Sequence, residues 1–138
     1  MRTTRVVVLG AAVVACGFVL HVAHAQQGIR RIDLQRHDLS TPGREVVQTI
    51  VELDPGVRSS RHTHPGEEIV YVLEGASLEY EVEGKPTVTL KPGDVLFIPA
   101  GTAHAARNVG SRKGAELATY ILLRGEPVFS EVRDSTPK

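Results

Sequence analysis

The fold is decided by residues 56–75, which read GVRSSRHTHPGEEIVYVLEG, and by residues 93–108, which read GDVLFIPAGTAHAARN. In the first stretch His62 and His64 are two residues apart, and on a β-strand this spacing directs both imidazoles to one face. Glu68 follows four residues later, beyond a Pro-Gly turn that lets the chain enter a further strand. The spacing therefore predicts that short strands direct several polar side chains at a common interior point.

The second stretch adds a third imidazole. His104 comes shortly after the turn Pro99-Ala100-Gly101, far along the chain, and can reach the same point from a neighbouring strand. A single His-x-His pair often arises by chance, so the prediction rests on the three histidines and the glutamate taken together. Three imidazoles and one carboxylate suit Zn, Fe, Mn, Ni or Cu, and the pattern does not select among them. We predict one divalent transition metal, with the candidate ligands His62, His64, Glu68 and His104.

Short segments rich in β-branched residues surround these stretches and alternate with Gly, Pro and Asp turns, which is typical of an all-β sandwich or barrel. The predicted strands are 45–53, 69–73, 77–82, 87–90, 95–98, 104–109 and 115–123. Residues 125–138 contain two prolines and predict an irregular or strand-swapped end. The pattern leaves open whether the face of 45–53 with Gln48 or the face with Thr49 lines the interior.

The first 25 residues have the order of a secretory signal peptide. Two arginines precede an apolar run of about 15 residues, and the small-residue pattern Ala23-His24-Ala25 follows. The run is shorter than the ~20 residues needed to span a bilayer. Cys16 has a lipobox-like context, but the apolar run continues beyond it, which favours cleavage after Ala25 over lipidation. We expect a periplasmic or secreted domain, residues 26–138, with no membrane span after signal removal.

Composition narrows the possible partners. The chain has 16 basic and 16 acidic residues and no basic patch, so a nucleic-acid partner is not expected. Its single cysteine lies in the predicted signal, which excludes thiolate metal sites in the mature domain. We expect a small-molecule ligand or substrate. Arg58, Arg61 and Arg107 flank the motifs and could bind a carboxylate, although a solvated rim charge is the commoner role of such residues.

The two stretches resemble the two conserved motifs of the cupin superfamily. The first has the pattern G-(5)-HTH-(3)-E-(6)-G from Gly56, the second has G-(5)-PAG-(2)-H-(3)-N from Gly93, and 17 residues separate them. The resemblance implies a single cupin (jelly-roll) β-barrel of six to eight strands, with His62, His64, Glu68 and His104 as metal ligands. It also implies a homodimer. The motif glycines are expected at turns where positive φ or close backbone approach is required.

Four protein ligands leave positions open on a metal that prefers five or six, so water, dioxygen or a chelating substrate can coordinate. By similarity to small dioxygenase cupins that act on flavonols or diketones, we expect a metal-dependent oxidoreductase. In this interpretation Glu68 is catalytic, serving both as ligand and as proton acceptor. The alternative is a non-enzymatic periplasmic protein that binds a metal or a small ligand. A sensory cupin is disfavoured by the export signal and by the absence of a DNA-binding segment.

Overall fold

The computed structural model describes residues 26–75 and 77–132 of the 138-residue chain. In this part every regular element is a strand. The strands are β1 (Ile29–Asp38), β2 (Arg44–Leu53), β3 (His62–Thr63), β4 (Glu67–Glu74), β5 (Leu78–Val82), β6 (Val88–Leu90), β7 (Val95–Ile98), β8 (His104–Asn108), β9 (Gly114–Leu123) and β10 (Ser130–Glu131). Over the same residues, no helix is long and apolar enough to cross a membrane. The predicted signal peptide lies outside the described residues.

The strands form two antiparallel five-stranded sheets. One has the order β1-β2-β9-β4-β7 and the other the order β10-β3-β8-β5-β6. Buried residues of both sheets share one core, so the sheets pack face to face as in a jelly roll. The all-β prediction is confirmed. The described chain has ten strands rather than six to eight, and two of them, β3 and β10, contain only two residues each.

Side chains alternate strictly across the two long central strands. On β2 the face with Thr49 is buried and the face with Gln48 is turned outward, which answers the question that the sequence left open. On the paired strand β9 the inward positions include Glu116 and Tyr120. Because side chains alternate with a period of two, both polar side chains are directed into the barrel interior.

Backbone pairing joins the two sequence motifs directly. His62 on β3 pairs with His104 on β8. The amide of Gly101, in the turn before β8, donates to the carbonyl of His64 over 2.9 Å. The histidines are therefore brought together by the ladder itself and not by flexible loops, which fixes their separation.

The glycines at Gly56, Gly75, Gly93 and Gly101 all have positive φ, as predicted. Gly75 shows why a side chain is excluded there. Its φ is 94°, and a Cβ would lie 2.0 Å from the carbonyl oxygen of Lys113. The end of β4 can therefore approach the start of β9 only through a residue without a Cβ.

The first and last strands were not predicted from the sequence. On β1 the pairing with β2 is irregular between Asp33 and Gln35, so a bulge at Leu34 breaks the apolar alternation. Most β1 side chains are exposed, as is common on a charged edge strand. In the tail that was expected to be irregular or strand-swapped, Ser130–Glu131 forms a short strand against β3 of the same chain.

Candidate metal centre

Three histidines converge inside the barrel. His62, His64 and His104 each offer a ring nitrogen, and these nitrogens all lie within 4.8 Å of one another. Their ring centroids are 4.3 to 5.0 Å apart. His64 and His104 are buried and His62 is half-buried, so the cluster lies just inside the surface. The three side chains could hold a metal ion.

Backbone carbonyls fix the orientation of each imidazole. Nδ1 of His62 lies 2.7 Å from the carbonyl oxygen of Ser60, and Nδ1 of His104 lies 2.9 Å from that of Thr102. Nδ1 of His64 lies 2.5 Å from the carbonyl oxygen of Val128. A carbonyl only accepts, so each Nδ1 carries the proton and donates. In the neutral ring Nε2 is then a free lone pair, which is the form that binds a metal.

The carboxylate of Glu68 completes the cluster. Its Oε2 lies 3.1 Å from Nε2 of His64 and 3.0 Å from Nε2 of His104. With neutral imidazoles these are contacts between acceptors, and both Oε2 of Glu68 and Nε2 of His64 are buried without a hydrogen-bond partner. Buried acceptors facing one another repel unless a proton or a cation lies between them. The donor set therefore fits a divalent metal ion.

The protonation states also favour metal binding. Burial is the largest effect on His62 and lowers its pKa to about 4. Burial favours the neutral acid of Glu68, but in the absence of a cation the hydrogen bonds and positive charge that His104 and His64 offer when protonated outweigh burial and hold its pKa at about 2. At neutral pH His62 is uncharged and Glu68 is ionised, so neither must lose a proton before it binds a metal. The structure thus brings together all four residues predicted as ligands; their ligation stays a prediction.

A second carboxyl group, which the sequence interpretation missed, lines the same interior. We call the space of about 20 Å³ beside His62, Glu68 and His104 the inner cavity; it has room for about one water molecule. Glu116 lines it and accepts a hydrogen bond from the hydroxyl of Tyr80. The sequence did contain a signal for this residue, because Glu116 is an acidic side chain on the otherwise apolar face of the predicted strand 115–123.

Glu116 is a neutral acid at neutral pH. Burial first, and the charge of Glu68 second, raise its pKa to about 8. Burial also raises the pKa of Tyr80 and of Tyr120, both on the inner-cavity wall, well above their ordinary value. The Tyr80 proton is committed to Glu116, so the donors left to a water-sized molecule in the inner cavity are the neutral acid of Glu116 and the Tyr120 hydroxyl.

Glu116→Gln is expected to change the pH dependence of stability in the metal-free protein. The acid of Glu116 keeps its proton up to about pH 8 when folded but ionises near pH 4.5 when unfolded, so stability falls as pH rises between these values. This loss is on the order of 4 kcal/mol. The substituted amide cannot ionise, so the variant should gain stability relative to wild type as pH rises. Urea denaturation at about pH 5 and pH 8 tests this. If the free energies of unfolding of the variant and the wild type differ by the same amount at both pH values, the prediction is wrong.

A larger outer cavity, of about 240 Å³, lies against the same histidines. It is lined by Arg31, Asp33, Thr49, His62, His64, Tyr120, Val128 and Phe129. The three arginines suggested from the sequence lie elsewhere. Arg58 and Arg61 face Glu81 and Glu83, at 2.8 and 3.7 Å, and Arg107 is exposed on β8. The arginine beside the candidate site comes instead from β1.

Comparison with known proteins agrees with this architecture. Residues 49–122, more than half of the chain, match the family of the Cupin domain. The chain is 41% identical over 58 residues to dimethylsulfoniopropionate lyase DddQ of Ruegeria pomeroyi, which covers 42% of this chain and 28% of the lyase. It is 37% identical over 84 residues to polyketide synthase CurC of Streptomyces cyaneus, covering 60% of this chain and 53% of CurC. The chain thus spans about half or less of these relatives.

Solved structures show the same fold. KdgF from Halomonas sp. superposes with a TM-score of 0.58 and 27% identity, over 72% of this chain and 84% of KdgF. The crystal structure of DddQ also has a TM-score of 0.58, with 29% identity, over 67% of this chain and 45% of DddQ. The two motifs, the jelly-roll topology and the family match agree, and the chain belongs to the cupin family.

Proposed function

We propose that this cupin is an exported, metal-dependent enzyme that acts on a small organic molecule, with His62, His64, Glu68 and His104 holding one divalent transition metal. The observation that carries the proposal is the buried contact of Glu68 Oε2 with two Nε2 atoms, at 3.0 and 3.1 Å. Only a shared proton or a cation makes such a contact favourable. A metal with open coordination positions would supply electrophilic activation or dioxygen chemistry to a bound guest.

The reaction class that we propose first is dioxygenation, in keeping with small dioxygenase cupins. Glu68 is only 3% exposed, and it would accept a proton from the substrate once its carboxylate has turned away from His64 and His104. The neutral acid of Glu116, held by the Tyr80 hydroxyl, would donate a hydrogen bond to a water-sized molecule in the inner cavity. The buried site keeps bulk water from these groups, which strengthens their interactions.

Elimination is the second candidate reaction, and one comparison favours it. The relative at 41% identity is named a dimethylsulfoniopropionate lyase. A β-elimination removes a proton from one carbon, forms a C=C bond and releases the leaving group with its bonding electrons from the next carbon; an ionised and desolvated Glu68 could accept the proton. Only part of that lyase matches this chain, so its substrate is one to be tested.

Turnover by the metal-loaded protein and by its Glu68→Gln variant tests this proposal. A flavonol and a 1,3-diketone are offered with dioxygen, and dimethylsulfoniopropionate without it. We expect oxygen uptake that depends on a substrate, and we expect Glu68→Gln to keep part of its metal while turnover falls by ~100-fold or more. Glu67→Gln is the matched control, because Glu67 faces Arg44 at 3.8 Å, away from the cluster.

Three outcomes separate the function classes. Oxygen uptake with a flavonol or diketone supports the dioxygenase, and cleavage of the sulfonium compound without oxygen supports the lyase. Metal binding without turnover of any of these substrates would favour a non-enzymatic binding protein. Unchanged turnover in Glu68→Gln would contradict the role of that carboxylate.

Export and dimer formation complete the proposal. We place the protein in the periplasm or outside the cell, and the N-terminal sequence of the mature protein, expected to begin at Gln26, tests this.

We place the homodimer contact on the outer face of β4 and β7. Exposed apolar side chains meet there, with Ile69 paired to Phe97 and Tyr71 paired to Val95. Light scattering during size-exclusion chromatography measures the oligomeric state.

A further inference from the structure

Arg31 lies where the two cavities meet. It lines the inner cavity with His62 and Tyr120, and these same three residues also line the outer cavity. Arg31 is on β1 and is exposed to solvent, so its guanidinium is accessible to a ligand in the outer cavity. A molecule that occupies this space would lie beside both the guanidinium and the histidine cluster.

Among the described residues the guanidinium of Arg31 forms no salt bridge, although its charge acts at longer range on Glu116 and Tyr120. Its neighbours on the same strand differ, because Arg30 lies 3.6 Å from Glu52 and Arg36 lies 3.7 Å from Glu45. The Arg31 guanidinium carbon instead lies 5.1 Å from the ring centroid of Phe129, a cation–π distance. This contact positions the side chain and leaves its N–H donors available, in the fork geometry that suits a carboxylate.

One acidic residue shares the outer cavity with Arg31. Asp33 is the acidic residue on its wall, and the Asp33 Oδ1 accepts a hydrogen bond from the Thr49 hydroxyl over 3.2 Å. This hydrogen bond holds the Asp33 carboxylate against Thr49 without cancelling its charge, and the cation–π contact holds Arg31 against Phe129. An apolar ring contact beside a free guanidinium suits an organic anion with an apolar body.

We propose that the outer cavity is a binding site for a small organic carboxylate, with Arg31 pairing with the carboxylate and Phe129 contacting the apolar part. This proposal rests on the proposed function only in treating the bound anion as a substrate. The anion site itself rests on the cavity, the unpaired guanidinium and the aromatic ring.

Binding of benzoate and of its uncharged analogue benzamide tests the proposal by calorimetry, with metal-free and metal-loaded protein. Wild type should bind benzoate in both forms and more tightly than benzamide. Arg31→Gln should weaken benzoate binding by at least about tenfold and leave benzamide unaffected, and Arg31→Lys should fall between. Arg30→Gln is the matched control, since this neighbour faces Glu52 on the outer surface.

Any one of three results would overturn the anion site. Arg31→Gln could bind benzoate as tightly as wild type does, wild type could bind benzamide as tightly as benzoate, or wild type could show no saturable binding of benzoate. The proposed function fails by a different result. If metal-free wild type binds benzoate through Arg31 but takes up no metal and turns over no substrate, the anion site stands and the metal-dependent enzyme does not.

Discussion

Removing the proposed metal with a chelator is expected to lower the melting temperature of the protein by about 15 °C or more. The physical reason is the buried cluster of acceptors: without a cation, the Glu68 carboxylate faces two imidazole lone pairs in a nearly dry interior. A metal at ~1,000 times its dissociation constant stabilises the folded chain by about 4 kcal/mol. The candidate ligands come from β3, β4, β8 and the turn after β3, so a bound cation would tie distant segments together.

Thermal denaturation followed by circular dichroism measures this effect before chelation, after chelation and after one equivalent of metal is returned. The His62→Ala variant is the control, because chelator should have little effect on a protein that no longer holds the metal. A melting temperature that does not change while elemental analysis shows the metal to be gone would contradict a stabilising role for the cation.

Gly66→Ala is expected to destabilise the fold by about 3 kcal/mol or more. Gly66 precedes β4, and a Cβ at this position would lie 1.8 Å from the carbonyl oxygen of Ile121 and 2.9 Å from the Cα of Leu122. Both are backbone atoms of the central strand β9, so a flexible side chain cannot simply move away. To make room for the Cβ, the start of β4 must move away from β9. This movement disrupts the native pairing of Glu67 with Ile121.

The same displacement should weaken metal binding, because Gly66 lies two residues from both His64 and Glu68. Gly84→Ala is the control: Gly84 has φ of 74° but open space around the position of a Cβ, so only backbone strain of about 1–2 kcal/mol is expected. Thermal and urea denaturation measure both variants. Equal stabilities for Gly66→Ala and Gly84→Ala would show that the close approach to β9 does not constrain the fold.

The candidate ligands could be predicted from sequence because short-range spacing determines their directions. His62 and His64 share a strand face, and proline and glycine turns set the positions of Glu68 and His104. The strands around them were predictable for the same reason, since alternation on β2 and β9 is regular and turn residues separate the rest. Local geometry, repeated along the chain, was enough for this part of the fold.

The rest depends on interactions that spacing does not encode. The bulge at Leu34 obscures the alternation of β1, and with it the position of Arg31 at the cavity. Glu116 was visible as an acid on an apolar face, but its proximity to the site follows from the pairing of β9 with β4. The carbonyl of Val128 that orients His64 comes from 64 residues away. These features arise from tertiary packing, which one sequence does not reveal.

The central claim is that His62, His64, Glu68 and His104 hold one divalent metal, and elemental analysis of the mature protein tests it most directly. Wild type is purified from its own compartment beside His62→Ala, His104→Ala and a control, His37→Ala, whose residue is exposed on β1. We predict about one equivalent of a divalent transition metal in wild type and in the control, and ~0.1 equivalent or less in the other two variants. A wild-type protein without metal, or ligand variants that keep it, would contradict the account.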